Sequence, residues 1–241
     1  MSVQSAGRIA RPALACRVRE GLDAGSILLV AGAGYGKTMA LEEALEFGDR
    51  RSIWLSCRRG GAGRLLLEAV EGLRVAVPGL ADVVADSLAG SLEQVDARAG
   101  SAALRAELEQ LLVEPLVIVF DDAEALAGDE AALALVEALL GVRGAPLSVA
   151  IASRRGLDLK LAKLRASGRL VEIGPAELSL TPGECEELLR LRRGQPVSDE
   201  EVRAVIAASE GWPMGVALSV LAGSIGNGGT VPREELFDYL A

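Results

Sequence analysis

Residues 27–38 read Ile-Leu-Leu-Val-Ala-Gly-Ala-Gly-Tyr-Gly-Lys-Thr, an apolar run that passes through a glycine-rich turn into a helical pattern. No other segment restricts the fold as much, because it specifies a strand, a tight turn and a helix in immediate succession. Gly36, Lys37 and Thr38 close the turn in the relaxed form of a phosphate-binding loop, with Ala31 where the strict pattern begins with glycine. The glycines let successive backbone N–H groups form an anion-binding nest, which the helix N-terminus reinforces. Lys37 has the position to reach β- and γ-phosphates, and the Thr38 hydroxyl the position to ligate Mg²⁺. Gly32, Ala33, Gly34, Tyr35 and Met39 complete the candidate cradle. The plainer alternative is a glycine-rich turn that binds nothing.

The rest of the chain supplies the context such a loop needs. Short β-type runs lie at 27–31, 53–57, 116–120, 147–152 and 170–173, and helical spacing is clearest at 39–47, 64–73, 102–112, 131–140 and 157–166. This alternation predicts βαβ units and an α/β fold with a parallel sheet covered by helices on both faces. Beyond Gly174 and Pro175 the strands stop. Helices are expected at 182–192 behind a Thr181 cap, at 199–209 behind a Ser198 cap and at 214–221, with a glycine-rich stretch at 223–229 and a further helical restart from Val231. The expected division is a nucleotide-binding domain over 1–176 and a small helical domain over 177–241.

Composition narrows the chemistry. The formal charge is −9, which argues against direct nucleic-acid binding by this segment, since such binding rests on Lys and Arg neutralising phosphates. Histidine is absent, which removes Ser-His-Asp and Cys-His catalysis and most zinc chemistry. Cys16, Cys57 and Cys185 are odd in number and widely spaced, and read as small apolar core residues of a reducing compartment. No apolar run reaches the length of a membrane span, and the expectation is a cytoplasmic protein with no membrane partner. Trp54 reads as core packing.

A second chemical motif ends the run at 116–120, where Asp121 and Asp122 follow Phe120. A carboxylate at the end of such a strand holds Mg²⁺ opposite the loop hydroxyl, and Asp121 fits that role. Asp122 is placed to orient the attacking water; the bland alternative is that both acids cap the next helix. A whole βα unit separates the two motifs, so the sheet is expected to insert a strand between them. The run at 147–152 leads into Ser153, Arg154 and Arg155, where Arg154 can report a γ-phosphate or merely occupy a solvated loop. Gly211-Trp212-Pro213 alone reads as a helix stop followed by proline opening the next helix.

In order and spacing these motifs resemble the ATPase module of the MalT-like, large LuxR-type transcriptional regulators, a branch of the STAND signalling NTPases. The resemblance runs nearly end to end. It takes in Arg11-Pro12-Ala13-Leu14, Ala33 to Thr38, Ile53-Trp54-Leu55-Ser56, Phe120-Asp121-Asp122, Ala152-Ser153-Arg154, the segments 161–165 and 178–184, and Glu210-Gly211-Trp212-Pro213. It implies a five-stranded ASCE-type P-loop NTPase sheet of order 5-1-4-3-2 and an ATP/ADP switch whose helical domain folds over the nucleotide. Pro213 would lie against the adenine, and Arg11 or Pro12 would close its other side. Ala123 stands where the family usually has an aromatic residue, and Met39 where a hydroxyl residue is commoner. The resemblance also implies a winged-helix domain, helical repeats and a DNA-binding domain beyond residue 241, with nucleotide-dependent self-association of the whole regulator. The competing readings are a small-molecule P-loop kinase and a non-hydrolysing scaffold stabilised by nucleotide.

Overall fold

A computed structural model describes residues 8–46, 50–58, 61–77, 79–80 and 97–221. Its sheet has five parallel strands: β1 (Ser26–Val30), β2 (Arg51–Ser56), β3 (Leu116–Asp121), β4 (Leu147–Ser153) and β5 (Leu170–Ile173). Their order is β2-β3-β4-β1-β5, the order expected from the sequence, with β4 between the two motif-bearing strands. Ile118 faces Val149, and Leu28 faces Ile151.

Position in the sheet explains strand composition. β4 is buried along its whole length and β3 to its penultimate residue. Successive side chains face opposite sides, so both faces of the central strands are covered. On one face Leu55, Ile118, Phe120, Val149 and Ile151 share a core with Leu66, Leu73, Leu104 and Leu135. These last four come from the helices Ala62–Ala76, Ala97–Leu111 and Glu130–Leu140. A side chain at Gly72 would come within 2.6 Å of Ile53, so its absence allows the helix to approach β2. On the other face lies the helix Pro12–Ala24. There a Cβ at Gly21 would meet Ile27 at 2.9 Å and Val171 at 3.1 Å.

β2 is an edge strand, and this corrects the reading of Trp54. Ile53 and Leu55 point to the covered face, while Trp54 alternates to the opposite one and stays 38% exposed. Cys16 is likewise exposed on its helix, whereas Cys57 and Cys185 are buried.

Of the helical stretch expected at 157–166, only Ala162–Ala166 is helical. Leu157, Leu159 and Leu161 instead succeed one another through i+2 backbone hydrogen bonds at 2.9 Å. The apolar spacing there is two, not 3.6, and the i→i+2 bonds make consecutive γ-turns in place of a helix.

Asp129 serves two helices at once. Its Oδ1 accepts N–H bonds from Ala131 (3.1 Å) and Ala132 (2.9 Å), capping Glu130–Leu140. Its Oδ2 accepts the Ala62 N–H at 3.2 Å, at the start of Ala62–Ala76.

The chain clusters into two compact units. One holds the described residues of Cys16–Val30 and Ala44–Ile173, the other those of Met1–Ala15, Ala31–Glu43 and Gly174–Ala241. In the second unit, Pro182–Arg193 begins behind Thr181 and Asp199–Ser209 behind Ser198, each with a reciprocal capping box. Pro213–Leu221 follows, and a short helix, Pro175–Leu178, precedes them. Leu180, Cys185, Leu189, Val202, Val205 and Val216 form this unit's core together with Ile9. The glycine-rich stretch at 223–229 and the helix expected from Val231 lie outside the described residues. Among the described residues no helix is long and apolar enough to cross a membrane.

Candidate phosphate-binding loop and acidic strand end

Residues 31–36 leave β1 and run into the helix Lys37–Glu46. Gly34 and Gly36 take φ of 73° and 76°, in the left-handed region that glycine enters without strain. The Lys37 ammonium donates to the Ala31 carbonyl at 2.7 Å and the Gly32 carbonyl at 3.0 Å, so it lies over its own loop. Tyr35 is buried and Met39 exposed, while Ala33 and Thr38 are partly covered.

The next two carbonyls of the loop are also engaged, from a distant part of the chain. Trp212 is 1% exposed, and its indole N–H donates to the Ala33 carbonyl at 2.8 Å. The Met214 amide donates to the Gly34 carbonyl at 3.2 Å. A Cβ at Gly34 would sit 2.5 Å from Met214 Cβ and 3.1 Å from the indole nitrogen. Glu210 and Gly211 both adopt positive φ, which turns the chain between Asp199–Ser209 and the helix that Pro213 opens. A side chain at Gly211 would press on the Leu180 carbonyl at 3.0 Å. Pro213 is partly covered.

Arg11 is anchored in the same unit. Its guanidinium donates to the Leu178 and Ser179 carbonyls, each at 2.8 Å, and pairs with Glu184 at 3.0 Å. Its backbone N–H donates to Glu43 at 2.8 Å. Burial pushes the Glu184 carboxyl up, but hydrogen bonds from Arg11 and Thr181 outweigh it and hold the group below the usual carboxylate range. Pro12, at the start of its helix, is exposed.

The acidic strand end belongs to the sheet unit. Asp122 follows β3 in a left-handed conformation at φ 53°, and its N–H donates to Asp121 Oδ1 at 3.0 Å. Arg58 Nε pairs with Asp122 at 2.7 Å. Arg154 Nε pairs with Glu124 at 3.1 Å, and the Arg154 N–H donates to the same carboxylate at 2.9 Å. Thus Asp121, Asp122 and Arg154 gather at the C-terminal ends of β3 and β4, joined by Arg58 from the end of β2. Burial, and then Asp121 and Asp122 beside it, push the nearby Cys57 thiol up to about 12.

Arg58, Glu124 and the structural part of Trp212 were not legible as site residues. Strand register could have suggested Arg58: Ser56 faces Asp121, so residue 58 falls beside the residues just past it. For metal chemistry, a Thr hydroxyl and an Asp carboxylate are hard oxygen donors that suit Mg²⁺, which takes one or two protein groups with phosphates and water. Among the described residues no cluster of three His, Cys, Asp or Glu side chains forms a self-sufficient metal cage.

No protein-family model matches the chain, and no curated protein matches it. Solved structures do share its fold. A Walker-type ATPase of Pyrococcus abyssi aligns at TM-score 0.52 and 15% identity, over 95% of this chain and 72% of that one. A STAND protein with a tetratricopeptide-repeat sensor from Pyrococcus horikoshii aligns at 0.51 and 14%, over 88% and 30%. The ORC1 protein of Aeropyrum pernix, solved in complex with DNA, aligns at 0.54 and 17%, over 96% and 65%. The chain therefore spans less than a third of the STAND protein and about two thirds of ORC1.

Proposed function

We propose that this chain is the ATP-binding, slowly hydrolysing switch module of a larger cytoplasmic regulator of the MalT-like LuxR type. The observation that carries the reading is the pair of hydrogen bonds from Trp212 and Met214 to the loop carbonyls of Ala33 and Gly34. They link the loop, whose sequence suits phosphate, to the segment from 177 onward, and a switch needs that kind of linkage.

In this reading Gly32 to Thr38 cradle the phosphates, with Met39 beside them, and Lys37 turns from its own carbonyls to the β- and γ-phosphates. Pro213 meets the adenine, with Arg11 or Pro12 across from it. Thr38 and Asp121 would hold Mg²⁺, which would offset the negative charge of the phosphates. Asp122 orients the attacking water, and Arg154 answers to the γ-phosphate. The partners are the nucleotide, further domains of the regulator and other copies of it, with no direct DNA contact from this segment. A nucleotide-stabilised scaffold without turnover is the second reading, favoured by the engagement of Asp122 with Arg58.

Identifying the nucleotide that copurifies with the protein, then measuring phosphate release with and without Mg²⁺, tests the proposal. Bound ADP or ATP with slow, Mg²⁺-dependent release is expected. Nucleotide without release leaves the scaffold reading. Equal ATP affinity for the parent and Lys37→Ala would sink both, since truncating a charged contact of this kind costs about 2–5 kcal/mol.

A further inference from the structure

Four consecutive loop carbonyls have donors: those of Ala31 and Gly32 receive Lys37, that of Ala33 receives Trp212, and that of Gly34 receives Met214. In a planar trans peptide the carbonyl and the following N–H point in opposite directions. Fixing the Ala33 and Gly34 carbonyls therefore fixes the Gly34 and Tyr35 N–H groups, which lie in the middle of the anion-binding turn. Lys37 leaves its two carbonyls if it turns to a phosphate. Trp212 and Met214 need not move.

We infer that Trp212 is a positioning residue for phosphate, acting through the Ala33 peptide plane and not through the base. Its indole N–H holds one plane of the loop, and its bulk, with Met214, leaves no room for a side chain at Gly34. A loop whose peptide planes are set before binding does not have to order them on binding, and affinity rises by the fraction of molecules already in the competent form. The inference rests on reading residues 31–38 as a phosphate site.

Inorganic tripolyphosphate separates the two possibilities, because it carries the phosphates of a nucleotide and no base. The variants are Trp212→Phe and an isosteric replacement of Trp212 by benzothienylalanine, which exchanges the indole N–H for sulfur at constant shape. Circular dichroism reports whether each folds, and the isostere keeps the test open if the phenylalanine variant does not. Titration calorimetry is expected to show tripolyphosphate and ATP weakened by the same factor, about tenfold, the cost of one lost buried hydrogen bond. Tripolyphosphate unchanged while ATP weakens would overturn the inference in favour of a contact at the base, and no change in either would overturn it outright. If the parent protein binds neither ligand, the phosphate reading of the loop fails and the inference falls with it.

Discussion

The guanidinium of Arg58 holds Asp122 at 2.7 Å just beyond the C-terminal end of β3. Both partners follow neighbouring parallel strands, β2 and β3, whose register brings Ser56 opposite Asp121. If Asp122 orients water, Arg58 competes for the same carboxylate. Arg58→Ala is expected to raise phosphate release, Asp122→Asn to lower it while leaving ATP binding largely intact, and the double variant to match Asp122→Asn. A turnover assay on the parent and the three variants decides it: equal rates in the parent and Arg58→Ala would show that the pair does not restrain hydrolysis.

Gly34 is less able than Gly36 to accept a side chain. Its φ of 73° and the 2.5 Å approach of Met214 Cβ act together. Gly34→Ala is expected to lose about 1–3 kcal/mol of stability from backbone strain alone. Urea denaturation gives the first effect, and a loss of ATP affinity measured by titration gives the second. Gly36→Ala, whose Cβ would meet nothing within 4 Å, should show the milder stability loss of the two.

The Arg11–Glu184 pair makes a prediction about acid. The Glu184 carboxyl sits below its ordinary range when folded, so its stabilising effect is complete above the unfolded value and is lost as pH falls through the folded one. Denaturation midpoints followed from neutral pH downward are expected to fall on that limb. Glu184→Gln should flatten the fall. A slope that is unchanged in the variant would assign the acid sensitivity to other carboxylates.

Thiol reactivity should separate the cysteines. Burial holds the Cys185 thiol up to about 11, and burial with the neighbouring acids holds Cys57 up to about 12, while Cys16 is exposed. At mildly alkaline pH a thiol reagent is expected to modify Cys16 rapidly in the native protein, and all three cysteines only in denaturant. Rapid native labelling of Cys57 would mean that the end of β2 opens readily.

Local patterns carried much of the fold into the sequence. The apolar runs located all five strands, while the sheet order, with β4 and not the intervening β2 between the motif strands, came with the resemblance to ASCE-type P-loop sheets. The Thr181 and Ser198 caps were legible because capping chemistry is confined to neighbouring residues. Trp54 was misread because an apolar residue in a strand pattern carries no mark of whether its strand is central or at an edge. The helix Pro12–Ala24 could have been found: Leu14, Val18 and Leu22, all buried, keep helical spacing behind Pro12. The indole bond from Trp212 to Ala33 spans 179 residues, and the Arg58 pair spans 64. Such contacts depend on tertiary placement, which no local periodicity encodes.

The shared carboxylate of Asp129 has a kinetic corollary. Two helices of the sheet unit begin on one side chain, through its two oxygens, so a movement of Asp129 releases both starts. Backbone amides near 62 and near 131–132 are then expected to share one opening free energy in deuterium exchange, although nearly seventy positions separate them. Asp129→Ala would split that event in two, each helix start exchanging at its own faster rate.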